Sequence, residues 1–295
     1  MSRTTTFPTR IEAHLQAKLH AMFVPMRLAS TGNAEAVHEM RVASRRLRIA
    51  LRYFAALFPA SELRQIQRHL RRTTRTLGEI RSLDVNLKVL HKAAKQLPVS
   101  TIAVQRKLTG ELLALRHERL NAGRELLQTF VTSRFEARIR ALILKPRAID
   151  DHRLLAEAQD FTGKLRRQLR RRLKNCREEE PGEAAFHKLR VSAKRYRYSL
   201  ETSMAVFRTE AAEVVGEIKA LQDCLGAWHD LEELLGFLRS CRRQWTKADN
   251  PLAGRLTGVL TFFQGAGEAA FADLQKFLRD DYNWHKKIKL KLPHD

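Results

Sequence analysis

Two stretches of this chain carry histidine and arginine at intervals suited to holding phosphate. The first reads HEMRVASRRLRIALRYF from His38, and the second reads HKLRVSAKRYRYSLETS from His187. On a helix, at about 100° per residue, His38, Arg41, Arg45, Arg48 and Arg52 fall within roughly 80° of arc. Met40, Ala43, Leu47, Ala50, Leu51 and Phe54 take the opposite face. The helix is therefore amphipathic with an almost purely cationic polar side. The second stretch repeats the wheel: His187, Arg190, Lys194 and Arg197 form the stripe, and Leu189, Ala193, Tyr196 and Leu200 back it. Its last stripe position differs, Glu201 standing where the first copy has Arg52.

Like charges three and four residues apart repel by a few tenths of a kcal/mol per pair. Surface helices usually interleave acidic residues to avoid that, so a stripe of one sign, written twice, points to an anion as the absent partner. Arginine's planar fork matches phosphate oxygens in pairs. His38 to Arg52 spans roughly 21 Å at 1.5 Å per residue, which suits a linear polyanion better than a single phosphate ester. The bland reading is that acidic residues of neighbouring helices neutralise the stripes. Each histidine is expected to donate to phosphate, with its charge depending on pH. Further on, Arg64, Arg68, Arg71, Arg72 and Arg75 share one side of a helix; in the second half Lys219 matches Arg71, while Asp223 matches Arg75. The site is expected to be lopsided, stronger in the first half. In the run KLRRQLRRRLK (164–174), Arg167, Arg171 and Lys174 are open between ligand and solvent. Arg46 and Arg195 lie off the stripes, where a structural ion pair is at least as apt.

These residues need long helices to position them, and the sequence supplies them. The chain has 295 residues, 55 Lys+Arg against 32 Asp+Glu, a formal charge of +23 and 44% hydrophobic residues. That is enough apolar content for a real core, and the excess charge favours a polyanionic partner. Helical periodicity predicts helices near 10–29, 34–58, 61–81, 83–97, 100–130, 134–145, 151–178, 183–206, 208–225, 228–247 and 251–281. Asn33, Ser61, Asp150 and Asn250 suit N-caps, and Pro251 suits a first helical position. The fold class is all-α. The motifs lie 187 − 38 = 149 residues apart, and each has a second echo, LGEIRSLDVNL from Leu77 and LGAWHDLEELL from Leu225. The intervals from His to Leu-Gly are 77 − 38 = 39 and 225 − 187 = 38. Two ordered motifs at one spacing imply an internal duplication: two homologous helical bundles, about 10–145 and 151–281, joined around Lys145-Pro146, with 282–295 as a basic tail. Gly78 and Gly226 are expected to permit tight helix junctions. Asp84, Asp230, Glu39 and Glu232 are expected to orient arginines by ion pairing.

Several function classes lack their signatures. There is no GxSxG, Walker loop, Rossmann fingerprint, HExxH or HxxxH, so no catalytic residue, metal site or cofactor is expected. REEEPGE (177–183) reads as a solvated turn. Cys176, Cys224 and Cys241 imply no disulfide framework. No stretch of about 18 apolar residues suggests a membrane span, and the N-terminus lacks the apolar core of a signal peptide, so a cytoplasmic protein is expected. The alternative function is non-specific nucleic-acid binding, since nucleic acid presents the same phosphates. Against it, aromatics for base stacking are few. A hydrolase or phosphotransferase acting on such a polyanion would want paired carboxylates for Mg²⁺, and none can be placed.

HEMRVASRRLR and HKLRVSAKRYR, followed by LGEIRSLDV and LGAWHDLEEL, resemble the signature of the CHAD family, the conserved histidine α-helical domain. The resemblance covers nearly the whole chain as a single domain over 1–295. It implies two bundles related by a pseudo-twofold with a basic groove or pore between them. It also implies binding of inorganic polyphosphate and a location at polyphosphate granules, with granule-associated proteins as further partners. Carried over by position are His38, Arg41, Arg45, Arg48, His187, Arg190, Lys194 and Arg197. The chain departs from the family where an Arg-Asp pair reads Arg81-Ser82 in the first copy and His229-Asp230 in the second. No ExExK strand of a triphosphatase domain is present, so the reading is of a standalone, non-enzymatic binding domain.

Overall fold

The structure, a computed structural model, describes residues 7–132, 134–177 and 181–280; the basic tail and Glu178–Glu180 of the acidic turn lie outside them. Among the described residues there are α-helices and short 3₁₀ turns and no strand. The helices are α1 (Phe7–Phe23), α2 (Met26–Ser30), α3 (Ala34–Tyr53), α4 (Ala60–Ala93), α5 (Ile102–Thr132), α6 (Phe135–Leu144), α7 (Asp151–Asn175), α8 (Glu183–Phe207), α9 (Ala212–Lys247) and α10 (Leu256–Asp280).

Local chemistry explains most boundaries. The Asn33 carboxamide accepts from the Ala36 N–H and the Asp150 carboxylate from the Arg153 N–H, both at N-caps, satisfying donors the helix cannot. Pro25, which has no N–H to extend the ladder, separates α1 from α2 where periodicity suggests one helix. The helix expected to reach 58 ends at Tyr53, followed by a 3₁₀ turn. Ser61 lies inside α4 rather than capping it. The Asn250 side chain caps a turn by accepting from Leu252 N–H, and α10 begins only at Leu256, so Pro251 is not its first residue.

The expected junctions at Gly78 and Gly226 are absent: α4 and α9 run straight through them. Glycine inside a helix costs about 1 kcal/mol, a penalty offset by burial of Leu77, Ile80, Leu225 and Trp228 around them. A side chain at Gly226 would meet nothing, so close packing does not demand glycine there either.

The chain divides into two compact units that do not follow the halves of the sequence. Among the described residues, the first takes 7–77 with Gly123–Gln222; the second takes Gly78–Ala122 with 223–280. Each unit thus draws on both halves. The expected bundles over 10–145 and 151–281 are not the compact units. The second unit has its own core, in which Leu90, Val104, Leu108, Leu238, Trp245 and Phe263 are buried together. There Glu111 accepts from the Trp245 indole N–H at 2.7 Å and from the Cys241 thiol at 3.2 Å. The first unit holds both repeated motifs: α3 packs against α1, α2 and α8, and α8 against α7.

Candidate functional site

The apolar faces read from the sequence are those that the first unit buries. Met40, Leu47, Ala50 and Leu51 of α3, Phe54 just after it, and Leu189, Ala193, Tyr196 and Leu200 of α8 are sealed from solvent. Burying them holds the opposite faces at the surface, where each stripe sits half in solvent. His38, Arg41, Arg45 and Arg48 are half-buried and Arg52 is exposed; His187 is exposed, and Arg190, Lys194 and Arg197 are half-buried. α4 is tied alongside. The Ser44 and Thr74 hydroxyls meet at 3.0 Å in the core, and the Gln67 amide donates to the Arg48 carbonyl at 3.0 Å. That registration sets Arg71 beside α3, with the exposed Arg68, Arg72 and Arg75 on the same side of α4.

Three helices thereby converge their cations. Burial pulls the Arg48 guanidinium down from its ordinary value to about 10, and the charges of Arg195, Arg45, Arg71 and Arg52 pull the same way. Arg45 is lowered chiefly by burial and further by Arg190, partly offset by Tyr198. Arg195 is lowered by burial and by Arg52 and Arg71. Among the described residues no carboxylate pairs with Arg45, Arg48, Arg52, Arg71 or Arg195. Half-buried Arg45, Arg48 and Arg195 held beside further cations without counter-charge are costly, and an anion of high charge density relieves that cost.

The other end of the pair of helices is different. Glu201 places one oxygen 3.4 Å from Arg46 Nε and the other 3.4 Å from Arg197 Nε. Both guanidiniums lie over the Tyr198 ring, at 5.5 and 5.2 Å from its centroid. Neutralisation by an acidic residue of a neighbouring helix is thus realised at Arg46, outside the stripe, and Glu201 of α8 itself neutralises the stripe residue Arg197.

Arg45, Arg48, Arg52, Arg71 and Arg190 come together as charges that act on one another. His38, Arg41, Arg68, Arg72, Arg75, His187, Lys194 and Lys219 lie in the same unit. Arg195 is the residue that sequence reasoning set aside. Its signal was available crosswise: the repeat equates Arg195 with Arg46 and Glu201 with Arg52, so a contact between Arg46 and Glu201 implies one between Arg195 and Arg52.

Elsewhere, Arg167 and Lys164 share Asp160 on exposed α7, and Arg171 and Lys174 are exposed. In the second unit Asp84 pairs with Arg116 at 2.6 Å and Glu232 with Arg239 at 3.9 Å. Glu233 accepts from Ser82 at 2.8 Å and lies 3.3 Å from His229, so an ion-pair and hydrogen-bond network persists where the family's Arg-Asp pair is altered. Among the described residues no three His, Cys, Asp or Glu side chains gather as metal ligands, and no helix is long and apolar enough to cross a membrane.

The family model of the CHAD domain matches residues 13–239. Two solved structures share the fold. The CHAD domain from the plant Ricinus communis superposes with a TM-score of 0.68 at 20% identity, over 98% of this chain and 94% of that one. PptA from Streptomyces chartreusis superposes with a TM-score of 0.66 at 19% identity, over 92% of this chain and 99% of that one. No curated protein matches the sequence.

Proposed function

The chain belongs to the CHAD domain family, and we propose on that footing that it binds inorganic polyphosphate without catalysis, through the facing stripes of α3 and α8 and the basic side of α4. One observation carries this reading. Arg45, Arg48, Arg52, Arg71 and Arg195 crowd together from three helices with no carboxylate partner among the described residues. A run of phosphates supplies one negative charge at each short step of the chain and suits such a row of forked donors. The crosswise relation of Arg46–Glu201 to Arg195–Arg52 supports an internal duplication and a pseudo-twofold relation between α3 and α8. On this reading the protein gathers where its ligand does, at polyphosphate granules of the cytoplasm.

The test is a titration with long-chain sodium polyphosphate against duplex DNA at equal phosphate concentration. Polyphosphate binds more tightly and the affinity falls steeply with salt, as multiple phosphate contacts require. Arg45/Arg48/Arg195→Ala lowers the affinity at least about a hundredfold, because each charged hydrogen bond contributes roughly 1.5–3 kcal/mol. Arg106/Arg119/Arg243→Ala removes the same charge from exposed positions of the second unit and changes it little. Equal losses from both triples, or tighter binding of DNA, would overturn the proposal.

A further inference from the structure

The repeat matches each residue of α3 with one of α8, which lets the two ends of the helix pair be compared position by position. Arg46 corresponds to Arg195, Arg48 to Arg197, and Arg52 to Glu201. At one end Arg46, Arg197 and Glu201 meet, with Glu201 placing one carboxylate oxygen near each guanidinium. Lys18 of α1 joins them, its charge opposed by Arg46 and favoured by Glu201. At the other end stand the counterparts Arg195, Arg48 and Arg52, joined by Arg71 of α4. The first group is three cations around one anion; the second is four cations, with no carboxylate pairing Arg48, Arg52, Arg71 or Arg195 among the described residues.

We propose that the two ends are sister anion sites of which Glu201 closes one, so that the ligand is held at the Arg48–Arg52–Arg71–Arg195 end and Glu201 is the residue that makes binding one-sided. The inference rests on the polyphosphate reading and adds a direction to it. The Glu201 carboxylate occupies the place a phosphate would take, with both oxygens already committed to guanidiniums at 3.4 Å. An entering phosphate would displace a tethered anion at that end. It meets no such competitor at the other. The Tyr198 ring beneath Arg46 and Arg197 braces the closed arrangement, a contact worth a fraction of the ion pair itself. Arg52 lies instead over Phe161, 5.8 Å from its centroid.

The experiment compares equivalent substitutions with long-chain sodium polyphosphate as the probe. Arg195→Ala weakens binding by about tenfold or more, the loss of one charge-assisted hydrogen bond, whereas Arg46→Ala at the equivalent position changes it by less than about threefold. Glu201→Gln tightens binding, steepens its salt dependence, and makes Arg46→Ala as costly as Arg195→Ala. Arg52→Glu sets a carboxylate against Arg195, reproducing the closed end. It abolishes binding while the melting temperature holds or rises, which separates loss of the site from loss of the fold. Equal losses from Arg46→Ala and Arg195→Ala in an otherwise binding protein overturn the one-sided site and leave the polyphosphate reading standing. So does Arg46→Ala remaining silent in the Glu201→Gln background. A wild-type protein that does not bind polyphosphate overturns both.

Discussion

Arg48 puts the cost of the site on a measurable scale. Holding charge on a guanidinium pulled well below its ordinary value, to about 10, costs the fold roughly 3 kcal/mol at about 1.36 kcal/mol per pH unit. Solvent reaches part of the side chain and screens it, which reduces the figure to about 1–2 kcal/mol. A cation lowered on folding carries its penalty at every pH below its folded value, so the penalty is fully present at neutral pH and is relieved only as pH climbs above about 10 toward arginine's ordinary value. Arg48→Gln removes the charge and keeps a polar tip. Without anion, at pH 7 and low salt, the variant should melt roughly 2–8 °C above the wild type. Polyphosphate at a hundredfold its dissociation constant should stabilise the wild type by about 2.7 kcal/mol. The variant, binding tenfold more weakly or worse, should gain no more than about 1.4 kcal/mol from the same concentration. The ligand therefore erases the variant's lead. Melting curves followed by circular dichroism, with and without polyphosphate, read both halves. A variant that melts below the wild type in the absence of anion, or that gains as much from polyphosphate, would refute the claim that Arg48 is strained for the ligand's sake.

Two further outcomes are expected. His14 on α1 is held down to about 4 by burial and by Lys18, so it stays neutral in the fold while the unfolded chain takes up its proton below about 6.5. Its contribution is present above pH 6.5 and fades as pH falls toward 4, a loss of roughly 2 kcal/mol by pH 5 in urea unfolding; a pH dependence that persists undiminished in His14→Gln would contradict this. In the second unit, Asp84→Asn breaks a buried pair with Arg116 and should cost about 3 kcal/mol of stability. It should leave polyphosphate affinity unchanged, and neither protein should release phosphate from polyphosphate and Mg²⁺. Turnover that disappears with Asp84 would make the protein an enzyme.

The sequence disclosed faces better than neighbours. Periodicity placed Leu47, Leu51, Leu189 and Tyr196 inside and the stripes outside because a helix of known pitch leaves no other choice once its apolar side is buried. The caps at Asn33 and Asp150 were legible because their chemistry is local. Gly78 and Gly226 misled because a glycine's local preference is weak beside the burial of Leu77, Ile80, Leu225 and Trp228 around it. Arg195 was left open for another reason: it sits off the stripe of its own helix and feels the charge of Arg52 at the end of the opposite one, a relation no single wheel can show. Glu201, standing where the first copy has Arg52, pairs with Arg46 and Arg197, and a wheel of α8 alone could not name Arg46.

The interleaving of the two units governs how the chain is made. The first unit needs Gly123–Gln222 to complete what begins before Leu77. At ribosomal rates of about 5–20 residues per second, the N-terminal helices wait roughly ten seconds or more for their partners. During that interval the apolar face of α3 has no α8 to cover it. Closing such distant segments makes the route slow in topology even though every element is a fast-forming helix. A truncation near Lys145-Pro146, the natural place to cut by sequence, therefore yields two fragments that each lack part of both cores. Co-expressed, the fragments should recover a folded complex that neither forms by itself.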